Sequence, residues 1–175
     1  MRAFPCLLLL AALILGAFST QAAHWGVVGC STSDSAVLFS WDWEAEQFVF
    51  GDSIELGTYG NYPYDSVMRP RTEDEVWIPG ASGDGVVVLN ELGEILHEIP
   101  TGEYPVSVAF SPDYDIALVS CRDSDRLDII DINTYMVTGS LPIPGAGLGP
   151  GNLIFDPRGD RFFLVEWYGD LVFTI

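Results

Sequence analysis

Residues 104–145 read YPVSVAFSPDYDIALVSCRDSDRLDIIDINTYMVTGSLPIPG, and this stretch decides the fold. Pro105 is followed seven residues later by Pro112, with Phe110 two positions before it. Residues 62–74 (YPYDSVMRPRTED) and 149–160 (GPGNLIFDPRGD) carry the same frame: Pro63 with Pro70 behind Met68, and Pro150 with Pro157 behind Phe155. The copies stand 42 and then 45 residues apart, a regularity that 11 scattered prolines would rarely produce. Each frame leads into an apolar run, a polar turn and a second apolar run: 77–90 (WIPGASGDGVVVLN), 118–131 (LVSCRDSDRLDIID) and 164–175 (LVEWYGDLVFTI), with a degenerate earlier copy at 27–40 (VVGCSTSDSAVLFS). Runs such as Val86 to Leu89, Leu127 to Ile130 and Leu171 to Phe173 are short, β-branched or aromatic, and bounded by turn formers, which predicts strands. Their near-continuous apolarity predicts burial on both faces. Leu92, Ile95, Leu96 and Ile99 have helical spacing, but Gly93 and alignment with residues 133–145 (NTYMVTGSLPIPG) read that stretch as a tight turn and a fourth strand.

A repeat of 42 to 45 residues holding four strands predicts one blade of a β-propeller, whose radial sheets bury both faces against neighbouring blades. The fold class is therefore all-β: a β-propeller of four-stranded antiparallel blades, with about three and a half blades in this chain. Residues 104–145 resemble the YVTN-type β-propeller repeat, whose pattern runs G-x-x-P-x-x-V-A-F-S-P-D-G-x-x-L-Y-V, a polar turn, V-x-V-I-D, then a strand ending I-P-V-G. The match is specific over 62–145 and recognisable from Gly149 onward. The name-giving tetrad is replaced by LVSC (118–121), WIPG (77–80) and LVEW (164–167), and Tyr114 stands where Gly closes the turn. The resemblance implies a secreted or periplasmic, seven-bladed protein with surface-layer and lactonase-like relatives. The repeats fall near 24–60, 61–102, 103–147 and 148–175. The chain enters at the second strand of one blade and stops at the third strand of another, so it reads as the N-terminal part of a longer propeller; two half-rings joined by self-association are the alternative.

Residues 1–22 read as a signal peptide: Arg2, an apolar run from Leu7 to Phe18, and small residues at Ala22 and Ala23. The domain then spans 23–175, with no later membrane span expected. Acidic residues outnumber basic ones 25 to 7, the formal charge is −18, and Lys is absent. Such a field disfavours nucleic acid. It also fits a saline habitat, where stability should climb with salt. Cys6 leaves with the leader, while Cys30 and Cys121 occupy equivalent positions two blades apart, beyond the 7 Å reach of a disulfide. They are expected as two free, half-buried thiols.

Strand register also assigns faces. Connections between blades and the turns joining second to third strands share one face, which collects Asn61, Tyr62, Asp65, Glu103, Tyr104, Ser107, Glu166 and Trp167. Loops from several blades converge there on the axis, where propellers bind ligands; the competing reading is turn-forming Asp and inter-blade packing of Tyr. On the opposite face, Arg69, Arg71, Arg158 and Arg161 read as turn ion pairs of small weight. Histidine occurs only at His24 and His97, so a Ser-His-Asp or Cys-His device has no base in view, and no haem, phosphate-loop or zinc motif is present. Asp123 with Asp125, and Asp113 with Asp115, have the spacing hard cations use, but without the Gly and Glu of an EF-hand; Ca²⁺ there is weighed against solvated turns, and no other cofactor is expected. Two function classes remain. One is a non-catalytic scaffold binding a protein, glycan or small molecule through the loop face. The other, implied by relatives of the resembled family, is a lactonase-like hydrolase or oxidoreductase-associated domain using Glu166 or a metal.

Overall fold

The computed structural model describes residues 25–70, 74–112, 115–143, 149–168 and 172–174. The signal peptide expected at 1–22, together with Arg71, Asp113, Tyr114 and residues 144–148, lies outside these. Among the described residues, fourteen strands form four antiparallel sheets. The first holds β1 (Trp25–Cys30), β2 (Ser35–Asp42) and β3 (Gln47–Glu55). The second holds β4 (Val67–Met68), β5 (Glu75–Gly80), β6 (Gly85–Asn90) and β7 (Ile95–Pro100), and the third β8 (Pro105–Phe110), β9 (Ile116–Cys121), β10 (Arg126–Asp131) and β11 (Met136–Pro142). The fourth holds β12 (Pro150–Phe155), β13 (Phe162–Glu166) and β14 (Val172–Thr174). Every sheet is a plain meander in chain order. The Leu92 to Ile99 segment is indeed a turn and a strand: Asn90 Oδ1 accepts from the backbone N–H of Leu92 and Glu94, and Gly93 takes φ +78°.

Strand alternation explains why the sheets stand side by side as blades. Successive side chains point to opposite faces, so β5 and β6 send Val76, Ile78, Val87 and Leu89 to the first sheet, where they bury Ala36 and Leu56. The alternate residues Trp77, Val86 and Val88 pack with Val108, Ala117, Val119 and Cys121 of the third sheet. Ala109, Leu118 and Leu127 then meet Leu153, Phe162 and Leu164 of the fourth. The two middle sheets are thus covered on both faces, as radial blades require, while outer strands β3, β7 and β11 are mostly exposed.

Two side-chain networks depart from the sequence reading. Arg69 is more than a turn pair: it donates to Glu75 at 3.0 Å and to Tyr135 Oη at 3.1 Å, and Tyr135 donates to Glu75 at 2.7 Å. Tyr135 also stacks on His97 at 3.6 Å, so this half-buried group locks the second blade to the third. Burial and the adjacent Glu75 carboxylate push the Tyr135 phenol up. Cys30 is half-buried, but Cys121 is fully buried rather than half-buried, and both thiols are free. Cys121 lies behind Asp128, whose carboxylate accepts from Gly102 N–H at 2.7 Å and from Arg126 at 2.7 Å. Burial first, and then Asp128, push the Cys121 thiol up to about 12.

Candidate functional site

The loop face is organised by one device used three times. The last residue of each second-to-third turn is an Asp in the left-handed region: Asp34, Asp84 and Asp125, at φ 50°, 53° and 47°. Its carboxylate accepts from the backbone N–H of the residue that enters the following blade: Tyr62 at 2.8 Å, Tyr104 at 3.0 Å and Gly149 at 3.3 Å. The carbonyl of that entering residue then accepts from the first turn residue of its own blade: Ala81 at 3.0 Å, Arg122 at 2.9 Å and Trp167 at 2.7 Å. One residue therefore staples two blades together through its own N–H and C=O. The entering residue is itself left-handed (Tyr62 φ 57°, Tyr104 φ 56°, Gly149 φ 63°) and precedes the first Pro of the frame. Gly adopts this conformation freely, whereas a bulky residue there is strained by about 1 to 3 kcal/mol. Tyr at 62 and 104 keeps a ring where glycine would be easier on the backbone.

Those rings build a collar over the axis. Arg122 lies on the Tyr104 ring, 3.4 Å from its centroid, and 5.7 Å from that of Trp167. Trp167 of the fourth blade meets Tyr64 of the second edge-on at 5.3 Å, and Tyr64 lies 6.2 Å from Tyr62. Tyr168 packs beside Gly149, where a Cβ would come within 3.2 Å of its ring. Arg122 is held by Asp123 at 2.7 Å, and that hydrogen bond raises the guanidinium further above its ordinary value. Burial, then the neighbouring Tyr104 and Tyr62, raise the Tyr64 phenol. Tyr62, Tyr64, Trp167 and Tyr168 remain exposed, offering stacking surface to solvent.

Beneath the collar, the third residue after each entering position forms a polar row: Asp65, Ser107 and Asn152. Ser107 Oγ donates to Asp65 at 3.3 Å and accepts from Leu153 N–H at 3.5 Å, tying three blades at the axis. Two residues further, Val67, Ala109 and Ile154 continue into a groove of about 540 Å³ with mostly apolar walls. Its volume lies in the range of small-ligand sites.

The structure thus unites Tyr62, Tyr104 and Trp167 in the collar, and Asp65 with Ser107 in the row. Asn61 and Glu103 enter through their backbones, their carbonyls accepting from Ser82 and Asp123. Asp123 faces Arg122, whereas Asp125 caps Gly149, so the two carboxylates are drawn to different partners. Among the described residues no group of three or more His, Cys, Asp or Glu gathers at a metal-binding distance. Glu166 is only 4% exposed. Its strand neighbours Phe163 and Val165 line the groove, so by alternation Glu166 faces the seam with the third blade. Sequence reading missed Asn152, although it occupies the position equivalent to Asp65 and Ser107. It also missed Tyr64, whose counterparts in other repeats are Val106 and Gly151, and Tyr168, whose counterparts are Ser82 and Asp123, and Arg122, which shares its repeat position with Ala81 and Trp167.

No protein-family model matches the chain, and no curated protein does. Solved structures match in number, 641 chains in all. The dihydro-heme d1 dehydrogenase NirN in complex with DHE is similar over 81% of this chain and 32% of its own, at 17% identity and TM-score 0.59. A functionally unknown protein from Desulfotomaculum acetoxidans is similar over 79% of this chain and 47% of its own, at 14% identity and TM-score 0.58. Kuenenia stuttgartiensis hydrazine synthase is similar over 59% of this chain and 28% of its own, at 19% identity and TM-score 0.54. The chain spans less than half the length of each. These likenesses show the fold, a β-propeller in part, and at such identities they select no activity.

Proposed function

We propose that this protein is a secreted or periplasmic β-propeller of the YVTN-repeat type that binds a ligand, without transforming it, at the collared mouth of its axial groove. The observation that carries the reading is the joining at one mouth of exposed rings (Tyr62, Tyr64, Trp167), a polar row (Asp65, Ser107, Asn152) and an apolar groove. Rings stack on apolar faces and the row takes hydrogen bonds, a combination suited to the sugar ring of a glycan or a small molecule of similar character. The apolar leader at 1–22 supports the address, and the charge of −18 speaks against nucleic acid.

The test is calorimetric titration of the full chain with a panel of neutral oligosaccharides, with tryptophan fluorescence as a second readout. Trp167→Ala and Asp65→Ala should each weaken a hit about tenfold or more, or about 1.4 kcal/mol. A panel without a binder, or a binder indifferent to both substitutions, refutes the assignment. The enzyme alternative draws on Glu166, a buried carboxylate free of hydrogen bonds, but that side chain faces the blade seam and not the groove. Turnover of a lactone that Glu166→Gln abolishes would favour it nonetheless.

A further inference from the structure

The seam between the third and fourth blades holds every buried side-chain oxygen that lacks a hydrogen bond among the described residues: Ser120 Oγ and both carboxylate oxygens of Glu166. Ser120 is fully buried. Their placement follows from register. Leu118 and Leu164 meet in one cluster across this seam, and Ser120 and Glu166 lie two residues further along the same strand faces, one step nearer the collar. Ser107 is the cross-strand partner of Ser120 and so shares its face. Leu153 N–H of the fourth blade reaches Ser107 Oγ, which brings the opposite wall against these hydroxyls. Beside Glu166 the β12–β13 ladder shifts register between Pro150 and Leu153, interrupting the backbone pairing where the carboxylate stands.

The preceding seam shows how this fold treats a buried carboxylate. Asp128 is fully buried, and Gly102 N–H and the Arg126 guanidinium meet its two oxygens. Glu166 meets no such donor, and a charge kept from water without one is costly. Arg122 does not supply it, being engaged by Asp123 and Tyr104. By register, the polar side chains on the wall that Glu166 faces are Ser120 and Ser107, both hydroxyls. A carboxylate with hydroxyl oxygens and no nitrogen donor is the ligand set of a hard cation. A surface carrying −18 raises the local concentration of cations around it.

We propose that this seam binds one hard cation, Ca²⁺ or Na⁺, between the Glu166 carboxylate and the hydroxyls of Ser120 and Ser107, and that the ion clamps the fourth blade to the third. With a single carboxylate the site should be weak, of about millimolar affinity for Ca²⁺. The test uses the full chain in choline chloride, with thermal unfolding followed on adding CaCl₂ or NaCl at constant ionic strength, and Tb³⁺ emission sensitised through tryptophan as a direct binding readout. A rise in Tm with CaCl₂ alone identifies Ca²⁺, and a rise with NaCl identifies Na⁺. Either rise should vanish in Glu166→Gln and persist in Asp52→Asn, an exposed carboxylate change elsewhere. Ser120→Ala should weaken Tb³⁺ binding several-fold, and it carries the test should Glu166→Gln fail to fold. No shift with either salt, equal shifts in wild type and Glu166→Gln, or Tb³⁺ binding unchanged in Ser120→Ala overturns the proposal and leaves the seam to a water molecule.

Discussion

Replacing Asp84 isolates the staple between the second and third blades. In Asp84→Ala the Tyr104 N–H loses an acceptor at 3.0 Å, and Ala inherits a φ of 53°. The bond lies at an exposed place, so water replaces part of it, and the loss is about 1 kcal/mol. Ala in the left-handed region costs about 1 kcal/mol more than Asp, whose short polar side chain tolerates it. Asp84→Ala should therefore destabilise the chain by about 2 kcal/mol. Asp84→Asn keeps both an acceptor oxygen and the tolerance, and should cost less than about 1 kcal/mol. Equilibrium urea unfolding followed by fluorescence reads the difference, because Trp77 is fully buried at the very seam being loosened. An unchanged midpoint for Asp84→Ala, or an Asn variant as damaged as the Ala variant, refutes the staple as an energetic element.

Three further outcomes follow from the same network of turns and seams. Asp128→Ala strips the partners of Gly102 N–H and Arg126; since Arg126 is 40% exposed and can rehydrate, the loss should be about 3 kcal/mol in urea unfolding. Backbone amides of Thr134 and Asn133 hold Asp131 below its ordinary 3.8, and Arg158 N–H does the same for Asp156. Their contribution is present above that value and lost as pH falls through the lower folded values, so Tm should drop as pH falls below about 4, and Asp131→Asn should flatten that drop. Cys121, raised to about 12 from 9.0, contributes stability that is full below pH 9 and lost as pH rises toward 12. It should resist iodoacetamide at pH 8 until urea unfolds the chain, as peptide mapping would show, while half-buried Cys30 labels in the native state.

What was legible in the sequence was whatever repeats. The proline frame fixed strand phase, so the turn at Gly93 and the strand at Ile95–Pro100 could be read against a helical spacing. Equivalent positions also gave the common face of Tyr62, Tyr104 and Trp167. The collar needs lateral geometry, however: Tyr64 and Trp167 come from blades that are not consecutive, and alignment relates positions without saying which side chains meet. Asp128 was hidden in an apolar run, its burial intelligible only with Gly102 and Arg126 in place. Much of the acidity has a local structural use. Asp34, Asp42, Asp84, Asp125, Asp131 and Asp156 all accept backbone N–H groups at turns, a role that composition cannot distinguish from a binding surface.

The staple also has a direction. Each turn Asp reaches forward to a residue 28, 20 or 24 positions later in the chain, and never back. Closing so short a loop costs little entropy, and contacts of small sequence separation form early. A blade can be secured to its predecessor as soon as its first strand has been synthesised, before its own outer strands exist. The molecule can therefore assemble in the order in which it is translated, each finished sheet serving as the template on which the next is laid.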